Sequence, residues 1–244
     1  MTAEAVIASM RVPPFAVHLE LAGWALFWAR LEMAAELDAQ AELRLAALRA
    51  ELEEGVRSPA ASASRPAGEP GKLAEHPTVA ALRALFRAAG CDPTRYRPSS
   101  EALLRRLLKG EPLPVIHPLV DLNNCLSVAL AVPCCVLAEG SVEPPLTLRA
   151  GRAGEAFESL RGPFSLEGKP LLADRRGPFG TPITDSQRVK VGPETRRAWL
   201  VAYLPHEVVT AAAAAARLRE LLAKAPVARL ELTAETTSSA SAVG

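Results

Sequence analysis

Residues 92–133 constrain this chain more than any other stretch, because two short helical patterns meet there across a proline-rich connection. The first pattern, 99–109, has Ser99 as a candidate N-cap, Glu101 in the first turn where it favours the helix dipole, and Gly110 as terminator. Leu103, Leu104, Leu107 and Leu108 form its buried stripe. The second pattern, 121–130, separates into two arcs when its residues are spaced at about 100°. Cys125, Ala129, Leu122, Leu126 and Leu130 fill one arc, and Asn123, Ser127, Asn124 and Asp121 share the other. A solvated face ordinarily carries lysine, arginine or glutamate, and this arc has none. Two amides, a hydroxyl and one carboxylate beside an apolar surface suit a shaped polar pocket. The competing reading is that Asp121 and the asparagines cap or brace the chain near Pro118.

With 244 residues the chain can bury a substantial core, and its net charge of +1 excludes the global basic field of a nonspecific nucleic-acid binder. Charge is instead concentrated locally. Residues 95–109 hold five basic side chains against Glu101, and 174–197 hold six against three acids, whereas 32–54 carry seven acids and two arginines. A local basic surface is therefore possible without a basic protein. The four cysteines form no metal-ligand spacing with the four histidines. Phosphate-loop, nucleophile-elbow, zinc-helix and dinucleotide signatures are missing as well. No metal and no cofactor is expected. The apolar run 21–28 is too short to span a bilayer and Glu4 interrupts any basic leader, which implies a cytoplasmic protein with no membrane span.

Residues 15–21 and 25–31 predict strands, or a strand followed by a helix, around Ala22 and Gly23. Residues 32–54 have the amphipathic pattern of a helix ending at Gly55, its charged face solvated. The serine- and proline-rich stretch 56–71 reads as a flexible linker or loop. His76 and Pro77 open a core helix with Val79, Leu82, Phe86 and Ala89 on one face and Gly90 at its stop. Beyond Pro133 the spacing predicts strands over 134–137, 146–149, 169–173, 188–191 and 197–204. An alanine-rich helix follows from Pro205 to about Lys224, then a last strand over 228–232 and a disordered tail over 233–244. The expected fold class is α+β: one domain over 72–232 with a mixed β-sheet packed against helices, and a strand/helix element over 1–55 packed on it.

Further residues invite a chemical reading. Glu101 stands four residues before Arg105, which makes either a surface ion pair worth about 0.3–0.5 kcal/mol or a carboxylate directed into the pocket. Thr181, Thr184, Asp185, Ser186 and Arg188 lie in a loop dense in hydrogen-bonding groups, either a side-chain-stabilised turn feeding a strand or part of the pocket. His117 could act as a general base near neutral pH, but it has no located partner.

The motifs RYRPSSEALLRRLLKG and PLVDLNNCLS, then GPFGTPITDSQRVKV and ETRRAWLVAYLP, resemble the B3/B4 domain of the phenylalanyl-tRNA synthetase beta subunit and its free-standing relatives over about residues 77–205. In the synthetase that domain is the editing module, which hydrolyses wrongly attached tyrosine from tRNA. The resemblance implies a trans-acting deacylase of misacylated tRNA whose partner is the aminoacylated 3′ end, with neither DNA nor membrane as a partner. It implies a pocket of Asn123, Asn124, Asp121 and Glu101, the amides orienting the ester and the carboxylates meeting the amine. Ser127, Thr181, Asp185 and Ser186 would contact substrate, and Arg105, Arg106 and Arg188 would contact RNA. Relatives often have asparagine where His117 stands, and the segment CCVLAEG at 134–140 departs from the family pattern. The alternative is a non-catalytic module that binds tRNA, a nucleotide or an amino acid.

Overall fold

Six apolar residues in a row, 24–29, cannot occupy a strand with one face in water, because alternate side chains point to opposite faces. In the computed structural model, which describes residues 12–34, 37–58 and 72–237, this run forms strand β2 (Trp24–Glu32), after a short β1 (Val17–Leu19). Helix α1 (Ala39–Arg57) follows, then α2 (Pro77–Ala88), α3 (Ser99–Leu108) and α4 (Pro118–Leu130). The second half holds β3 (Cys134–Ala138), β4 (Leu146–Ala150), β5 (Ala156–Ser159), β6 (Gly162–Ser165), β7 (Pro170–Asp174), β8 (Gly177–Gly180) and β9 (Arg197–Pro205). Helix α5 (Ala211–Lys224) and strand β10 (Arg229–Thr237) close the described chain.

The strands build two four-stranded sheets and a hairpin. The first sheet, ordered β10-β2-β9-β3, is antiparallel throughout. The second, β1-β4-β7-β8, mixes one parallel pair, β1 with β4, with two antiparallel ones. Both faces of the first sheet are covered. Ala25, Phe27, Ala29 and Leu31 of β2 pack with Leu45 and Leu48 of α1, Leu122 and Leu126 of α4, and Leu218 of α5. Trp24, Leu26 and Trp28 pack on the other side with Leu148, Leu172 and Phe179 of the second sheet and with Phe86 of α2. The result is a helix layer, a sheet and a second sheet, the α+β class expected.

Several boundaries differ from the sequence reading, each for a local reason. Glu32 ends β2, held by the Arg197 and Arg229 side chains, so the acidic helix begins only at Ala39, where the Asp38 carboxylate accepts the Ala41 N–H. It also runs past Gly55 to Arg57. Pro98, not Ser99, occupies the N-cap position of α3, because the Ser99 N–H donates to the Pro182 carbonyl across the molecule. Residues 188–191 form no strand. Ser186 Oγ accepts the Arg188 N–H and starts a 3-10 turn instead, Gln187–Val189. Helix α5 waits for Thr210, whose hydroxyl accepts the Ala213 N–H.

The tail expected from 233 is strand as far as Thr237. Its register on β2 continues to Ala25, Ala234 is buried, and Trp28 Nε1 donates to Thr236 Oγ1. Residues 59–71 of the expected linker and 238–244 of the tail lie outside the described residues. Strand β2 sits inside the first sheet between β10 and β9, so the N-terminal strand is part of the domain's own sheet. Among the described residues, no helix is long and apolar enough to cross a membrane.

Gly151 joins the second sheet to the β5–β6 hairpin. Its N–H donates to the Lys169 carbonyl, its own carbonyl accepts from Gly168, and a Cβ there would lie 1.9 Å from the Leu166 carbonyl oxygen. The clash is with backbone that is itself tied into the bridge, so little can shift. Gly151→Ala is expected to lower stability by about 1–3 kcal/mol, read as a shift of the urea midpoint at unchanged m-value.

Candidate functional site

Pro118 in the first turn and His117 at the N-cap start α4, with His117 Nδ1 accepting the Leu119 N–H at 3.3 Å. That bond occupies the lone pair a general base would use. Burial, countered only in part by nearby Asp121, also lowers the His117 pKa. Four residues on, Asp121 does not enter a pocket. Its Oδ1 accepts the Ile116 N–H at 2.9 Å and its Oδ2 binds Arg49 of α1 at 2.5 Å, bracing the end of the helix. The charged face expected to be solvated thus supplies a structural cation, and Glu53 of the same helix accepts the Leu113 N–H.

The remaining polar arc of α4 behaves differently. Ser127 Oγ donates to the Val132 carbonyl at 2.7 Å, and Asn123 Nδ2 donates to the Cys134 carbonyl at 3.3 Å. Asn123 Oδ1 is buried with no hydrogen-bond partner, while Asn124 is 9% exposed and its side chain forms no hydrogen bond among the described residues. Asn123, Asn124 and Ser127 all line one cleft of about 820 Å³. Thr184, Asp185 and Ser186 form part of the same wall, as do Arg105 and Arg106. Apart from Thr184, these are seven of the eleven residues expected to contact substrate or RNA, and the cleft brings them together.

Four are not. Glu101 is fully buried, its carboxylate held by Arg83 at 2.9 Å and Arg105 at 2.8 Å, so it is neither a surface pair nor a cleft group. Asp121 is committed to Arg49, as described. Thr181 Oγ1 accepts the Ile183 and Thr184 N–H groups and donates to the Thr184 carbonyl, which makes the self-bonded turn weighed above. Arg188 grips Asp174 with both terminal nitrogens and reaches the Ser141 and Gly177 carbonyls, leaving it no freedom to meet RNA. Although burial works to raise the Asp174 pKa, the hydrogen bond from Arg188 and two backbone N–H groups hold it below the usual carboxylate value.

Of the carboxylates expected for the site, Asp185 is the one that lines the cleft. Its Oδ1 is buried without a hydrogen-bond partner, and burial pushes its pKa up to about 7 against the smaller opposing effect of the Thr181 backbone N–H. Gly180 makes room for it, since a Cβ there would lie 3.0 Å from Asp185 Oδ1 and 3.4 Å from the Tyr203 hydroxyl. Cys134 also lines the cleft, but its thiol donates to the Val132 carbonyl. Burial raises the pKa of all four cysteines, which disfavours a thiolate nucleophile.

Sequence reasoning missed part of the cleft wall. Arg97, Lys109 and Lys190 were visible only as contributors to basic segments, and Leu160, Arg161 and Phe164 lie on a β5–β6 hairpin that was not expected at all. A second concavity, also of about 820 Å³, is lined by Glu32, Glu139 and Arg197 among others. Glu32 pairs there with Arg197 and Glu139 with Arg30, and Arg196 donates to the Pro193 carbonyl.

The protein is thus an α+β domain with a cation-rimmed cleft between helices and a loop. A family model described as "B3/4 domain" matches residues 81–224, more than half of the chain, and the chain belongs to that family. Among solved structures it is similar to the crystal structure of an N-terminal fragment of the phenylalanyl-tRNA synthetase beta-subunit from Pyrococcus horikoshii, at 13% identity and a TM-score of 0.44. That match covers 92% of this chain and 52% of the other, so the chain spans about half the length of the fragment. No curated protein matches.

The Arg49–Asp121 pair sets up a direct test of how the site helix is held. Arg49→Met leaves a buried carboxylate uncompensated and is expected to cost about 3–5 kcal/mol. Arg57→Met, which removes a more exposed partner of Glu53, should change stability by no more than about 1 kcal/mol. Urea denaturation of both variants checks the contrast.

Proposed function

We propose that this protein hydrolyses the ester of misacylated tRNA in trans, with the aminoacylated 3′ end entering the cleft. One observation carries the reading: Asn123 and Asp185, which both line the cleft, each have a buried side-chain oxygen, Oδ1, with no hydrogen-bond partner. Buried acceptors without donors cost about 1–3 kcal/mol each, and a ligand that donates to both removes that cost. The α-ammonium of an aminoacyl ester is such a donor. Its carbonyl oxygen can in turn accept from the Asn124 amide, which lines the same wall. The B3/4 membership supports the reading through the editing chemistry that the resemblance implies.

The reaction itself needs no covalent enzyme intermediate. An aminoacyl ester is already activated, so holding its ammonium and carbonyl while a water attacks lowers the barrier through orientation and charge stabilisation. The water oxygen bonds to the carbonyl carbon, the bond to the ribose oxygen breaks, and the ribose oxygen takes up a proton. In this scheme Asp185 binds the ammonium as a carboxylate, and Asn124 donates to the oxyanion.

A second reading, a module that binds aminoacylated RNA or an amino acid without hydrolysing it, is favoured by one observation. Glu101 and Asp121 are both neutralised by arginines, which leaves Asp185 as the carboxylate lining the cleft without an ion-pair partner.

Release of amino acid from a panel of mischarged tRNAs separates the two. The deacylase reading expects release from some members, and a loss of kcat/KM of about tenfold or more for Asn123→Ala and for Asp185→Asn. Because Asp185 is protonated below about 7 and charged above it, kcat/KM should rise with pH through that value, mainly through a falling KM. Asp185→Asn should lack this limb. No release from any member would reject hydrolysis in favour of the binding module.

A further inference from the structure

Tyr203 is fully buried within β9, yet its hydroxyl is only half used. The ring is fixed in the core between the two sheets, where Trp24 meets it edge-on at 6.4 Å, and its backbone N–H donates to the Pro133 carbonyl. Cys135 Sγ of β3 lies 3.9 Å from the phenol oxygen and donates to it. The phenol's own proton reaches no acceptor among the described residues. A buried tyrosine hydroxyl ordinarily finds one.

An acceptor stands close by. Gly180, at the end of β8, leaves open the space that a side chain would fill. Beyond the adjoining residues, the two atoms nearest to its missing Cβ are Asp185 Oδ1 at 3.0 Å and the Tyr203 hydroxyl at 3.4 Å. Both oxygens therefore border one small gap. The backbone holds Asp185 there: it bridges to Gly180, the Thr181 N–H donates to the Thr184 carbonyl, and the Ser186 N–H donates to the Phe179 carbonyl. Asp185 thus lines the cleft while its unpartnered Oδ1 borders the gap. A carboxylate oxygen accepts from two donors, so a phenol and an ammonium need not compete for it.

A buried carboxyl ionises only as far as donors or cations meet its charge. The titratable side chains that act on one another with Asp185 are Tyr203 of β9 and Cys135 of β3, both buried and held protonated by that burial. The cations of the cleft wall, Arg97, Arg105, Arg106, Lys109, Arg161 and Lys190, form no ion pair with Asp185 among the described residues, and Glu111, the other carboxylate on the wall, pairs with Arg106. We propose that Tyr203 is a positioning residue for Asp185: its hydroxyl turns across the Gly180 gap, donates to the ionised carboxylate and fixes it for an ammonium arriving from the cleft. The inference rests on the reading above in taking Asp185 as the partner of that ammonium. Cys135 assists by occupying a lone pair of the phenol oxygen, which leaves the phenol to act toward Asp185 as a donor.

The test follows the Asp185 carboxyl carbon by NMR through a pH titration of carbon-13-labelled protein, with no tRNA or amino acid present and with Asp185→Asn to assign the signal. Tyr203→Phe removes only the hydroxyl and should raise the Asp185 midpoint by about one pH unit or more, so that ionisation becomes about tenfold less favourable. Cys135→Ala disturbs the same part of the core but keeps the Tyr203 hydroxyl, and it should move the midpoint by less than half as much. Thermal melts check that both variants fold. An unchanged midpoint in Tyr203→Phe overturns the proposal, as does a lowered one, which would mean that the carboxyl donates to the phenol. An equal rise in Cys135→Ala overturns it too. Because the titration uses no substrate, the expected shift in a protein that releases no amino acid would sink the hydrolysis reading alone, and an unmoved midpoint in an active deacylase would sink this inference alone.

Discussion

Burial of the first sheet on both faces is the constraint on which the rest of the molecule depends. Strands β2 and β9 lie side by side in its interior, and their paired residues place aromatic and aliphatic side chains on each surface. Neither surface can face water, so a helix layer and a second sheet must both be present for either to be stable. The same requirement draws in distant parts of the chain: β2 comes from the N-terminal region, β9 and β10 from the C-terminal half. Helix α4 is laid on this support, and its polar arc faces the cleft because its leucines are needed in the core.

Buried oxygens without a hydrogen-bond partner include Ser100 Oγ and Ser141 Oγ, and those of Asn123 and Asp185 differ in belonging to residues that line the cleft. Net stabilities of about 5–15 kcal/mol leave little room for such defects unless they serve the protein's activity. The surroundings of the two groups are otherwise complete. Ser127, Thr181 and Ser186 are each hydrogen-bonded in place, and Arg49, Arg83 and Arg188 each neutralise a neighbouring carboxylate. On the proposed reading, a wall with two unpartnered acceptors, one of them a carboxyl poised near neutrality, suits an ammonium-bearing ester.

Much of the helical layer was legible in the sequence, because Pro77, Gly90, Gly110 and Pro118 punctuate it and leucines repeat at helical spacing between them. The polar arc of α4 was legible for the same local reason, and Asn123, Asn124 and Ser127 do line the cleft. What could not be read was which polar groups are satisfied by distant partners. Asp121 meets Arg49 across 72 residues of sequence and Glu101 meets Arg83 on another helix, so periodicity could place each carboxylate on a face without revealing that the face was occupied. The hairpin failed for a different reason. Strands β5 and β6 are four residues each, and each has only one partly buried aromatic, so neither produces an alternating run. Strand β10 was cut short because TAETT resembles a polar tail, although its edge position beside β2 tolerates threonine and glutamate.

On the proposed reading, the substrate's ammonium binds at the unpartnered oxygens of Asn123 and Asp185. A crystal structure of the protein with a non-hydrolysable 3′-aminoacylamido-adenosine tests it most directly. The account expects the ammonium of the analogue within hydrogen-bond distance of both Asn123 Oδ1 and Asp185 Oδ1. An analogue seated elsewhere, or one in the cleft that leaves both oxygens unengaged, would contradict it.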